Sequence, residues 1–204
     1  MIKNIILDVG RVLVAWQPKE TMRELGISQE TIAVLAEKLF DSGVWNEADR
    51  GVLSDDEFLE LAIRQVPEYE AEVRLFWNNI EKAIWQFPYV KLWIRAMKKA
   101  GYKVYILSNY GNWCYEKTKE IALNFLEEAD GAVFSYEVKQ IKPDAAIFQA
   151  ICDKYSLKAE ECVFLDDLPA NIEGAKKFGM QGIVFKGLQD ALEELQKLDV
   201  KIAL

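Results

Sequence analysis

Two uninterrupted apolar runs in this chain end in acid: Ile5-Ile6-Leu7-Asp8 and Cys162-Val163-Phe164-Leu165-Asp166-Asp167. A short, branched run with no polar alternation is the pattern of a strand covered on both faces, which confines it to the inside of a parallel sheet. In an open parallel sheet, the carboxyl ends of such strands line the ligand crevice. Three carboxylates gathered there repel one another unless a cation lies among them, and carboxylate oxygens suit a hard ion such as Mg²⁺. The two runs therefore constrain the fold and the chemistry together.

The first run predicts a strand over roughly 2–8 and the second a strand over 162–166. Further strands are expected at 103–108, 132–135 and 182–185, with helical patterns over 111–122, 143–154 and 169–178. This alternation predicts an α/β fold with a Rossmann-like, doubly wound parallel sheet. The stretch from about 17 to 87 differs, with helical periodicity and no convincing strand. Ser28 can cap a helix carrying Ile32, Leu35, Ala36 and Leu39, and Ser54-Asp55-Asp56-Glu57 matches a capping box ahead of Phe58, Leu61 and Ala62. A third helix is expected over 68–83, with Val73, Phe76, Trp77 and Ile80 on one side. The expected organisation is a core of residues 1–16 and 88–204 with a helical cap, 17–87, inserted after the first strand. An insert so placed can cover a site at the strand end and exclude water from it.

The absence of histidine excludes Ser-His-Asp and Cys-His nucleophile systems and any His-ligated metal. Proton transfer must then fall to carboxylates, lysine, tyrosine or water. A net charge of −8 argues against nucleic-acid binding, which needs a basic face. No apolar stretch is long enough to span a bilayer, and no basic and apolar leader precedes the first strand. Cys114, Cys152 and Cys162 lack the paired spacing of a zinc site. These features lead to the expectation of a cytoplasmic protein with reduced thiols, a monomer or weak homodimer, with no membrane or nucleic-acid partner.

Four spaced signatures, Leu7-Asp8-Val9-Gly10-Arg11-Val12-Leu13, Ile106-Leu107-Ser108-Asn109, Lys142-Pro143-Asp144 and Phe164-Leu165-Asp166-Asp167 with Asn171, follow one another in the chain. In this order they resemble the haloacid dehalogenase superfamily of hydrolases, over nearly the whole length. The insert is similar to that family's C1-type cap. Trp45-Asn46-Glu47-Ala48-Asp49-Arg50-Gly51 ahead of the capping box looks like the branch of sugar phosphatases and epoxide-hydrolase N-domains. The resemblance implies phosphoryl transfer in two steps, in which Asp8 attacks phosphorus and water hydrolyses the resulting aspartyl-phosphate. It further implies Mg²⁺ held by Asp8, the Gly10 carbonyl and Asp167, with Asp166 ligating or holding a metal-bound water. Ser108 and the Asn109 amide would bind phosphoryl oxygens, and Lys142 would neutralise phosphate charge. Asn171 is expected to orient the acidic loop.

One position departs from that pattern. Most phosphatases of the superfamily carry a second aspartate two residues after the nucleophile, as general acid and then base, and here the residue is Gly10. Three readings follow. The first is a phosphatase of a small phosphorylated metabolite such as a sugar 1-phosphate, with Asp49, Glu47 or water supplying the proton. The second is a metal-independent 2-haloacid dehalogenase, which needs no general acid but leaves the Asp166-Asp167 pair without a use. The third is a catalytically weak protein that binds a phosphorylated ligand. Arg50, Arg11 and Trp16 are the candidate substrate contacts, with an ion pair the alternative for Arg50 and hinge packing for Trp16.

Overall fold

The computed structural model describes residues 1–204. Five parallel strands form its sheet: β1 (Asn4–Leu7), β4 (Lys103–Ser108), β5 (Gly131–Phe134), β6 (Cys162–Asp166) and β7 (Gln181–Val184), in the spatial order β5-β4-β1-β6-β7. Two short strands, β2 (Val14–Trp16) and β3 (Ile84–Gln86), pair antiparallel beside it. The expected parallel α/β core is present, each strand within a residue or two of its expected place.

Alternation along each strand explains the two layers of helices. Ile5, Leu7, Val104, Ile106, Val163 and Leu165 face one side and pack in the same cluster as Trp93, Ile94 and Met97 of helix Val90–Lys99 and Leu195 of helix Leu188–Lys197. Ile6, Tyr105, Leu107 and Phe164 face the other side, against Ile147, Phe148 and Ile151 of helix Ala145–Tyr155 and Ile172 of helix Pro169–Phe178. Each such side chain, once removed from water, contributes about 1.5–3 kcal/mol. β1 lies at the middle, paired with β4 on one side and β6 on the other. The strand order reverses direction there, and an open α/β sheet forms its crevice at that point.

The insert is helical, as expected, with two differences in detail. Ser28 caps Gln29–Leu35, which continues through a wider π-helical turn over Ala36–Asp41. The capping box at Ser54 forms, with Ser54 Oγ accepting from the Glu57 N–H and the Glu57 carboxylate accepting from the Ser54 N–H, and it opens helix Asp55–Gln65. The helix expected over 68–83 is confined to Glu70–Asn78, because Tyr69 and Asn79 leave helical geometry and 3₁₀ turns flank it. The second difference is β3. It falls inside the stretch read as strand-free, and its partner β2 lies at the insert's other end. The ribbon continues beyond both strands through Gln17 N–H to Ala83 O and Phe87 N–H to Leu13 O.

Aromatic rings fill the insert. Trp45 packs on Phe40 at 4.7 Å and on Phe58 at 5.5 Å between ring centroids. Trp77 stacks on Trp113 of helix Asn112–Thr118 at 5.8 Å, and the Trp113 indole N–H donates to Trp77 O at 3.0 Å. The insert's apolar interior is thus continuous with that of the sheet. No helix is long and apolar enough to cross a membrane.

Candidate active site

The carboxyl ends of the three central strands deliver the polar groups. Asp8 directly follows β1, Ser108 ends β4, and Asp166 ends β6 with Asp167 next. Lys142 arrives from the loop between β5 and helix Ala145–Tyr155. Its ammonium sits 2.7 Å from Asp8 Oδ1 and 2.6 Å from Asp166 Oδ2, and also donates to Leu107 O at 3.2 Å. Ser108 Oγ donates to the same Asp8 oxygen at 2.9 Å. Asp8, Ser108, Lys142 and Asp166 are all buried. Residues 8, 108, 142 and 167, far apart in the chain, therefore gather at one place.

Asp166 is saturated. It accepts from Lys142, from the Leu168 N–H at 2.8 Å, and from the Asn171 amide at 3.0 Å on both oxygens. Asn171 thus orients the acidic loop, as its place in the sequence suggests. Asp8 and Asp167 are the freer carboxylates. Asp167 meets only the Arg11 guanidinium, at 3.4 Å.

Burial dominates the electrostatics. It pushes the Asp8 carboxyl up to about 7, with Lys142 opposing the rise and Asp166 and Asp167 adding to it. Burial and then Asp166 raise Asp167, against the pull of Arg11. For Lys142, burial favours the neutral amine, but Asp8 and Asp166 outweigh it, and the ammonium is held above its ordinary value. One buried cation among three carboxylates leaves excess negative charge. Oxygens of Asp8, Asp166 and Asp167 lie within 4.8 Å of one another. An oxygen-only donor set with excess negative charge fits a hard divalent cation such as Mg²⁺.

A cavity of about 380 Å³ opens above these groups. Asp8, Gly10, Lys142 and Asp167 form its floor, and Trp16, Phe40 and Trp45 contribute an aromatic wall from the insert. Trp16 thus faces the cavity while also packing on Trp45 at 5.9 Å. Arg11 stands at the rim with a left-handed φ of 59°. One expectation is corrected. Arg50 does not line the cavity; it is turned toward Glu47 and Asp144, at 3.7 and 3.9 Å. The Asn109 side chain holds the main chain of Lys142, accepting from its N–H at 2.8 Å and donating to its carbonyl at 3.1 Å, which fixes the lysine loop while Asn109 itself lines the cavity.

The sequence reading understated three cavity residues. Asp49 faces the floor from the insert, Cys114 lies beside it, and Leu168 is on the rim. Asp49 belongs to the phrase singled out before the capping box. Cys114 and Leu168 carried no signal beyond their positions after Ser108 and Asp167.

Parallel strands ending in a buried Asp, Ser and Asp-Asp set, bridged by one lysine, define a class of hydrolase. The family model for haloacid dehalogenase-like hydrolases matches residues 14–179, and the chain belongs to that family. It is 32% identical over 108 residues to bifunctional epoxide hydrolase 2 of Rattus norvegicus, covering 50% of this chain and 19% of the relative. The chain thus spans about a fifth of that protein's length. It is also 32% identical over 88 residues to (S)-2-haloacid dehalogenase 1 of Pseudomonas sp. strain CBS-3, covering 43% of this chain and 38% of that one. Among solved structures, a haloacid dehalogenase family enzyme from Bacteroides thetaiotaomicron in complex with magnesium and inorganic phosphate superposes with a TM-score of 0.70 at 22% identity, covering 91% and 95% of the two chains.

Proposed function

We propose that the chain is a Mg²⁺-dependent phosphatase of a small phosphorylated metabolite, with a sugar phosphate the best-fitting class, acting through an aspartyl-phosphate on Asp8. One observation carries this reading: a buried nucleophilic carboxylate shares one oxygen with Ser108 and Lys142 and stands within ligand distance of two further carboxylates. A metal-free dehalogenase leaves the clustering of Asp8, Asp166 and Asp167 unexplained. The Bacteroides enzyme of like fold, which holds magnesium and phosphate, supports the same choice.

Each residue's part follows from its surroundings. Lys142 and Ser108 hold Asp8 Oδ1, which aims the second oxygen at the cavity for in-line attack on phosphorus. Lys142 also favours the ionised form of Asp8, opposing the burial that favours the neutral acid. Asp166 anchors Lys142 and, with Asn171, the loop that presents Asp167. Asp8, Asp167 and the Gly10 carbonyl would hold Mg²⁺, which would neutralise the phosphoryl oxygens in the transition state. Positioning and charge neutralisation make up most of what phosphoryl transfer asks of a protein. Residues 17–87 serve as the cap that excludes water, and their aromatic wall suits the flat apolar face of a sugar ring.

Phosphate release from a panel of phosphate esters, with Mg²⁺ and with chelator, tests the proposal. Turnover that needs Mg²⁺ and is lost in Asp8→Asn is expected. Chloride release from 2-chloropropionate in chelator, with every phosphate ester left intact, would reverse it.

A further inference from the structure

The chemistry above leaves one proton without a carrier. When the phosphoryl group moves to Asp8, the bond from phosphorus to the leaving-group oxygen breaks and that oxygen needs a proton. Gly10, on the cavity floor, has no side chain to give one. We propose that Asp49, which reaches the cavity from the insert, is the general acid that protonates the leaving oxygen and then the base that takes a proton from the attacking water. The proposal rests on the phosphatase reading and extends it to a catalytic residue on a different part of the chain.

Position is the first support. Asp49 lies in the last turn of helix Trp45–Arg50 and lines the same cavity as Asp8, close enough to feel its charge. The core holds it in place through three neighbouring residues. A Cβ added at Gly111, in the loop after Ser108, would stand 2.9 Å from Ala48 O, so backbone meets backbone there. The Asp49 carbonyl accepts from Ser135 Oγ at 2.5 Å. Gly51, at a φ of 65°, is packed so closely that an added Cβ would stand 2.9 Å from Tyr136 Cα, and Lys139 donates to its carbonyl. Asp49 is thus fixed relative to Asp8 by contacts with the core. Such fixation is needed for proton transfer, which works only within hydrogen-bond reach of the reacting atom.

Availability is the second support. Asp8 is bound by Ser108 and Lys142, Asp166 by Lys142, Leu168 and Asn171, and Asp167 by Arg11. Asp41, also at the cavity, is exposed at its rim. Asp49 is half-buried and forms no ion pair, and the Gly111 N–H is the one hydrogen-bond donor beside its carboxyl. The ionisable groups facing it are Asp8 from the end of β1, Lys142 from the loop before helix Ala145–Tyr155, and Tyr110 and Cys114 from the loop and helix after β4. Burial, above all, pushes its carboxyl up to about 7; Lys142 and the nearby Gly111 N–H pull down and Asp8 pushes up. An acid with that value holds its proton near neutral pH and can return to the same state after each turnover.

The test compares kcat/KM for an alkyl phosphate, whose leaving group needs a proton, with p-nitrophenyl phosphate, whose leaving group does not. For a covalent mechanism this ratio reports events up to leaving-group departure, so the later hydrolysis does not blur it. Asp49→Asn is expected to lower the alkyl value by about 10²–10⁴-fold and the aryl value by at least about tenfold less. The wild-type alkyl profile should fall as pH rises through about 7, where the acid loses its proton. Asp49→Asn should lose that limb, and Asp49→Glu should keep it. Asp56→Asn, at an exposed position of helix Asp55–Gln65 that does not line the cavity, should leave both esters unchanged. Equal losses on the two esters, or an unchanged limb in a folded Asp49→Asn protein, would assign Asp49 to docking alone while leaving the phosphatase reading intact. A wild type inert toward both esters overturns that reading and this assignment with it.

Discussion

Lys142→Met offers the sharpest test of the site's electrostatics. The lysine ammonium lies 2.7 Å from Asp8 and 2.6 Å from Asp166, with all three side chains nearly inaccessible to water. Methionine keeps the length of the side chain and removes the charge, so two buried carboxylates face each other with no cation. Breaking a buried pair by removing one partner costs about 3–5 kcal/mol. For a chain of this size each kcal/mol moves Tm by about 2–4 °C, so a drop of about 6–20 °C is expected in chelator at pH 8. The sign of the pH dependence follows from linkage. Asp8 is already raised to about 7 in the fold, above its ordinary value, so the folded state holds a proton that the unfolded state has released. Such a group costs stability as pH rises between the two values. Without Lys142, which opposes it, the rise at Asp8 is larger, so the deficit should be small at pH 5 and full at pH 8. Saturating Mg²⁺ should restore part of it, because the ion brings positive charge to the same carboxylates. Denaturant or thermal unfolding at both pH values, with chelator and with Mg²⁺, measures all three effects. A deficit below about 1 kcal/mol, or one equal at pH 5 and pH 8, would refute the buried-cluster reasoning.

Asp8→Asn should abolish phosphate release and, in chelator, lessen the fall in wild-type stability between about pH 4 and 7, to which Asp49 also contributes, as followed by urea unfolding across that range. Asn171→Ala removes the donor that serves both oxygens of buried Asp166 and should cost about 1–3 kcal/mol in the same assay, with a weaker apparent affinity for Mg²⁺. Gly111→Ala forces a methyl against the Ala48 carbonyl and should cost about 1–3 kcal/mol; hydrogen exchange should quicken in residues 45–51 before it does in the sheet.

The sheet was legible because buried parallel strands write themselves as continuous apolar runs, and their ends carried Asp8, Ser108 and Asp166. The ribbon of β2 and β3 was not. Each strand has three residues, too few to show alternation, and the partners meet only because the insert returns to its starting point. Helix Asn112–Thr118 stops before residue 122, where the N–H groups of Ile121, Ala122 and Leu123 all converge on Thr118 O in place of a regular helical ladder, an ending that a helical pattern does not announce. Asp49 and Arg50 make the same point at the site. Adjacent helical residues point about 100° apart. Which of them faces the nucleophile depends on how the insert docks at Gly111 and Ser135, and no local spacing encodes that. The sequence offered both, and docking turned the aspartate inward.

The paired stalks at Val14–Trp16 and Ile84–Gln86 have a consequence for how such proteins diversify. The chain leaves and rejoins the sheet at neighbouring points that are already hydrogen-bonded to each other, so the sheet does not register how much polypeptide lies beyond. Lengthening a segment between fixed ends adds an entropic cost that grows only logarithmically, about 0.6 kcal/mol per doubling. Bundles of quite different size can therefore be grafted onto one unaltered reaction floor, each bringing its own ring-lined wall, and, where it reaches the floor, its own proton donor.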